Sequence, residues 1–237
     1  MSERTQSFRT GAAVRPSAAR SGGLGRSIAD TSLAWSEGLV WIAKVNLGWL
    51  IGTLVGGILL GVAPATVAAY ASCRARLRGD DGPFVPMFSR KYRAEFWRAN
   101  ALLVPTFAVG LLVAAGMRVI IATAGVPAWL VVVPLAAVFS AALAFLVPLY
   151  VHYDLALHRY PVVASRFVLA NSGPALLMLL TLAGIGIATA LLPGLLPFFA
   201  IGAWIQASTA LSLSFFASND ERVAARDSFA DQHNPAK

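Results

Sequence analysis

His152, Asp154 and His158 are the side chains in this 237-residue sequence that come nearest to a metal site or a proton relay. The two histidines miss the spacing that sets an H-E-x-x-H pair on one helical face, and that motif is absent, so the cluster reads as an interfacial cap after an apolar helix. No G-x-S-x-G elbow or Walker loop occurs. The 11 acidic residues sit in tails, in gaps between apolar runs or just before the first run. With no carboxylate at mid-membrane, proton-coupled transport is disfavoured. The single cysteine, Cys73, excludes an internal disulfide framework and a cysteine-based zinc site. No catalytic residue, metal or cofactor is expected.

The other candidates are polar residues set singly in apolar surroundings: Asn46, Thr53, Thr66, Asn100, Arg118, Ser140, Asn171, Gln206, Ser208 and Thr209. An unpaired polar group in hydrocarbon is costly, so each should face protein or water. Hydrogen bonding between helices is the plainer role for any one of them. A sharper reading puts a ligand site at Gly61 to Thr66, where one helix ends and the next starts near Pro64. Free amides and a positive dipole end there could hold a carboxylate, a phosphate or a sugar hydroxyl. Asn46, Thr66 and Gln206 are its candidate residues if their helices adjoin. A tight hairpin turn is the competing reading. Arg118, near a helix end, is expected to snorkel.

The elements that carry these residues follow from composition. At 57% hydrophobic and 13% charged, with mean hydropathy +0.68, the chain has too little polar surface to coat a soluble globule. Val45 to Cys73, Ala99 to Tyr153 and Phe167 to Asn219 hold a single formal charge, Arg118. The +8 net charge lies in the gaps, where it flanks apolar runs, so it signals topology rather than nucleic-acid binding. A hydrocarbon core of roughly 30 Å takes about 20 helical residues to cross, so the second and third runs each hold two spans. Basic gaps on both sides of the first run force it out and back as well.

The expected fold is an all-α, polytopic transmembrane bundle. It has six spans, about 37–60, 63–77, 100–122, 128–150, 174–192 and 195–217, with five as the alternative if 63–77 stays at one surface. Residues 33–218 form the membrane domain. Residues 1–32 are expected to be a disordered basic tail with no cleaved signal peptide, and 219–237 a second tail, both cytoplasmic at the inner membrane. Pro105, Pro134 and Pro148 should kink their helices.

Two further patterns concern packing. Gly48, Gly52 and Gly56 recur every fourth residue and make a face that a neighbouring helix, or a second copy of the chain, could approach closely. From 84 to 98, Phe84, Phe88, Tyr92 and Phe96 form a stripe among Arg90, Lys91, Arg93 and Arg98. This predicts a cytoplasmic interfacial helix with Arg90, Lys91, Arg93 and Trp97 at the membrane surface, or equally a helix packed under the bundle with a solvated basic face.

Asn46-Leu47-Gly48-Trp49, the run from Gly61 through Thr66 to Tyr70, the basic Arg76 to Asp80 stretch, and Phe88 through Phe96-Trp97-Arg98-Ala99-Asn100 together resemble the bacterial YesL-like family, a domain of unknown function numbered 624. The resemblance covers roughly Trp35 to Ser218 and is strongest up to Asn100. Pro64, Ala65 and the arginine-rich tail depart from the family pattern. The resemblance implies a multi-pass plasma-membrane protein linked to carbohydrate uptake or utilisation, and it brings no catalytic residues. The expectation is therefore a non-enzymatic inner-membrane protein that assists sugar uptake by contacting a transporter, with a homo-oligomer as another arrangement. The alternative is a small carrier or channel for a sugar or an anion.

Overall fold

The computed structural model describes the backbone of residues 22–80 and 82–233, with side chains from Trp35 to Glu221 except at 81, 126, 196 and 197. Residues 1–21, most of the expected N-terminal tail, lie outside the described residues. Among the described residues all regular structure is helical: α1 (Gly22–Val55), α2 (Val62–Leu77), α3 (Phe84–Ala124), α4 (Trp129–His152), α5 (Tyr160–Ala170), α6 (Ser172–Leu191) and α7 (Ile201–His233). Short 3₁₀ turns precede α4 and α5, and a wide π-turn at Leu196–Ala200 leads into α7.

Five stretches are long and apolar enough to cross a bilayer: Trp35–Val55, Phe84–Ala124, Trp129–His152, Ser172–Leu191 and Phe198–Glu221. This is the lower of the two expected counts. At 16 residues α2 spans only about 24 Å. Its small residues Ala63, Ala65, Ala68, Ala69, Ser72 and Cys73 are buried, and it packs against α3, α4 and α7. Short, small-faced and walled in, it is an interior helix.

The chain divides into two compact units, residues 1–40 and 41–237. In the first, helix begins at Gly22, so the last part of the tail expected to be disordered is helical backbone. All that follows concerns the second unit.

Glycine-closed turns end both α1 and α2, and the first of them makes the α1–α2 hairpin. After α1, Ile58 N–H donates to Thr53 O at 2.9 Å and Gly57 N–H to Leu54 O at 3.0 Å, with Gly57 at φ +72°. After α2, Asp80 N–H donates to Ala75 O at 3.0 Å and Gly79 N–H to Arg76 O at 2.9 Å, with Gly79 at φ +84°. Both are the pattern by which a left-handed residue past the helix end satisfies orphan carbonyls. Ile58, at φ +62°, extends the left-handed stretch with a β-branched side chain, a strained choice.

The stretches expected at 84–98 and 100–122 are one helix of 41 residues, about 61 Å long. No proline or glycine separates Trp97 from Asn100, and the Asn100 amide donates to Phe96 O one turn back at 2.8 Å. The same amide donates to Leu60 O at 2.9 Å, tying α3 to the hairpin turn. Beyond that contact α3 runs on for about 36 Å at 1.5 Å per residue. The hairpin therefore flanks only the first part of α3, and α4 flanks the rest. At the other end of the sequence α7 continues to His233, through residues expected to be a tail. The 11-residue α5 falls in what read as a gap, since it is too short to show as an apolar run.

Candidate functional site

The glycine face and the aromatic stripe, read separately in the sequence, fit into one another. A β-carbon on Gly48 would sit 2.8 Å from the Phe84 ring, and one on Gly52 would sit 3.2 Å from the Tyr92 ring and 3.1 Å from Ala65 Cβ. Tyr92 Oη also donates to Gly52 O at 2.8 Å. Along the stripe Phe84, Phe88, Tyr92 and Phe96 meet ring to ring in series with centroids 5.5, 6.2 and 5.8 Å apart. The stripe is thus spent on α1, and Arg90, Lys91, Arg93 and Trp97 are exposed on other faces of α3, with Trp97 76% exposed.

Each candidate ligand residue makes a bond between helices. Asn46 is buried, and its Oδ1 accepts from Gly202 N–H at 3.0 Å, joining α1 to α7. Thr66 accepts from Trp49 Nε1 at 2.9 Å and donates to Val62 O at 2.7 Å, joining α2 to α1. Gln206 Oε1 accepts from Trp41 Nε1 at 3.2 Å. Beside them Tyr70 and Ser208 share a hydrogen bond of 2.8 Å, and the Arg76 guanidinium lies over the Trp41 ring at 4.6 Å. Asn46 and Gln206 do adjoin through α1 and α7, while Thr66 is engaged on the α2 side. Four cavities among the described residues are lined by other side chains.

His152, Asp154 and His158 diverge. His152 packs its ring on Tyr153 and Phe216, with centroids 4.6 and 4.8 Å away. Asp154 pairs with Arg98 at 2.8 Å on the surface. His158 lines an apolar hollow. Among the described residues no three metal-ligating side chains gather. Tyr160 Oη closes the α4–α5 connection, donating to Tyr153 O at 2.8 Å and accepting from Leu155 N–H at 2.9 Å. Burial and the hydrogen-bonded Asp220 carboxylate push the Tyr153 hydroxyl up to about 12, so it stays a donor at neutral pH.

Two features had no clear sequence signal. Between α2, α4 and α7 a void of about 10 Å³ is lined by Tyr70, Arg74, His152, Thr209 and Ser212. Arg74 Nε, His152 Nδ1 and Ser212 Oγ are buried without a protein partner. That volume suits about one water. Between α3, α4 and α5 lies a hollow of about 520 Å³, and a second of about 500 Å³ shares Phe139 and Leu143 with it. Both are built by tertiary contact, and apolar helices give no sequence sign of how far apart they stand.

The chain matches the model of a family described as "Protein of unknown function, DUF624" over residues 42–117. It is 32% identical to uncharacterized protein YesV of Bacillus subtilis (strain 168) over 190 residues, 73% of this chain and 85% of that one. It is 29% identical to uncharacterized protein YteU of the same organism, over 76% of this chain and 80% of that one. To uncharacterized protein YesL it is 28% identical, over 76% and 87%. No solved structure matches.

Proposed function

This chain belongs to the DUF624, or YesL-like, family, and we propose that it is a non-enzymatic accessory protein of the bacterial inner membrane that assists carbohydrate uptake by contacting a transporter. Both termini face the cytoplasm in this reading. The observation that carries it is the division of labour on α3: the aromatic stripe is consumed within the chain, while Arg90, Lys91 and Arg93 stay exposed beside Trp97. Such a face suits an anionic partner surface next to the membrane. The link to sugar uptake rests on the family resemblance alone. A carrier would need a water-filled route to Asn46, Thr66 and Gln206, and the hydrogen bonds that engage all three weigh against it.

Affinity purification from native membranes in mild detergent tests the reading. A sugar-transporter component should co-purify with the parent chain and be lost from an Arg90→Glu/Arg93→Glu variant that keeps its helical spectrum. Recovery of no transporter component would overturn it. Flux of a sugar or an anion into liposomes holding the purified chain would replace it with the carrier.

A further inference from the structure

We propose that the hollow between α3, α4 and α5 is a binding site for an anionic phospholipid, with an acyl chain in the hollow and the phosphate at Arg159 and His158. At about 520 Å³ it falls within the roughly 300–1,000 Å³ typical of ligand pockets. Its walls are carbon: Leu102, Pro105 and Val109 on α3, Phe139 and Ala142 on α4, Ala164 on α5. The two hydroxyls on the lining, Thr106 and Ser165, donate to their own helices, to Leu102 O at 2.6 Å and Val162 O at 2.9 Å. A sugar or another polar ligand would find little inside to replace its hydration, whereas an acyl chain needs nothing more than carbon.

One end of the hollow is different. His158 lines it there, and the next residue, Arg159, is exposed. Arg98, one turn before the lining residues of α3, is already matched by Asp154 at 2.8 Å, and Glu95 accepts from Tyr150 Oη at 2.6 Å. Arg159 makes no ion pair with a described carboxylate, so this end carries a cation free to meet a phosphate. An apolar slot with an exposed cation in the residue next to its lining complements a molecule with an apolar tail and an anionic head. A helix of a second copy would fill the slot but leave Arg159 without a counter-charge. The site does not depend on the transporter reading above.

The test uses the full chain in nanodiscs of mixed phosphatidylglycerol and phosphatidylcholine, with native mass spectrometry of the lipid retained after detergent exchange. One phosphatidylglycerol per chain should persist, favoured over phosphatidylcholine. Arg159→Gln should lower that preference about fivefold, as expected for one cation near a phosphate. Ala142→Phe, from the half-buried wall, and Val109→Trp, from an exposed position on the rim, should each abolish retention while the helical spectrum persists. The second variant keeps the test intact if the first fails to fold. Equal retention of both lipids, or retention unchanged by the filling substitutions, overturns the site. Two-chain particles that Ala142→Phe or Val109→Trp splits would assign the hollow to a second copy instead.

Discussion

Substituting Gly56 by alanine should unfold the α1–α2–α3 junction far more readily than the same change elsewhere. A β-carbon on Gly56 would collide with Gly61 Cα, and would lie 2.7 Å from Gly61 N and 2.6 Å from Tyr92 Oη. The first two are backbone atoms of the hairpin turn. They cannot retreat without disturbing bonds such as Ala65 N–H to Gly61 O at 3.0 Å. Overpacking of this kind costs about 1–3 kcal/mol, and a backbone clash belongs at the upper end. Gly184 in α6 is the control, since a β-carbon there meets nothing within 4 Å. In a helix interior Gly→Ala gains up to about 1 kcal/mol. The two variants should differ by about 4 kcal/mol, roughly a thousandfold in the unfolding equilibrium. Reversible unfolding in mixed micelles, followed by circular dichroism against the mole fraction of dodecyl sulfate, measures this. Gly48→Ala should be mild, because only the tip of the Phe84 ring stands in the way at 2.8 Å and a ring can tilt. Gly52→Ala should fall between. If Gly56→Ala proves as stable as Gly184→Ala, the hairpin does not close as described.

Ile58→Gly should stabilise the hairpin by about 1–2 kcal/mol by relieving the left-handed β-branched residue, and an unchanged midpoint in the same assay would deny the strain. Asn46→Leu should cost about 1–3 kcal/mol because it leaves the buried Gly202 N–H unpaired. A neutral result would mean that α1 and α7 do not meet there. A high-resolution structure should show one ordered water within hydrogen-bond reach of Ser212 Oγ, His152 Nδ1 and Arg74 Nε, and direct contact among the three would contradict this.

Helical class and the multi-pass pattern were legible in the chain because lipid admits few solutions and long charge-free runs must be helices; the count was not, since the short return at 63–77 packs inside the bundle and is too short to be a sixth span. Where the first helix stops was not legible: the span expected to run to residue 60 ends at Val55, because Gly57 turns left-handed and closes it. Tertiary structure alone decided what each face meets. Gly48, Gly52 and Gly56 announced a close approach without saying to what, and the Phe84 to Phe96 stripe announced an apolar contact that lipid and protein satisfy equally well. Their mutual fit depends on α2 turning the chain back so that α3 runs beside α1. For Asn46, Thr66 and Gln206, polarity in an apolar run required partners but could not choose between a ligand and a neighbouring helix. In the folded chain each is hydrogen-bonded to a neighbouring helix, a pairing fixed by side chains far apart in sequence.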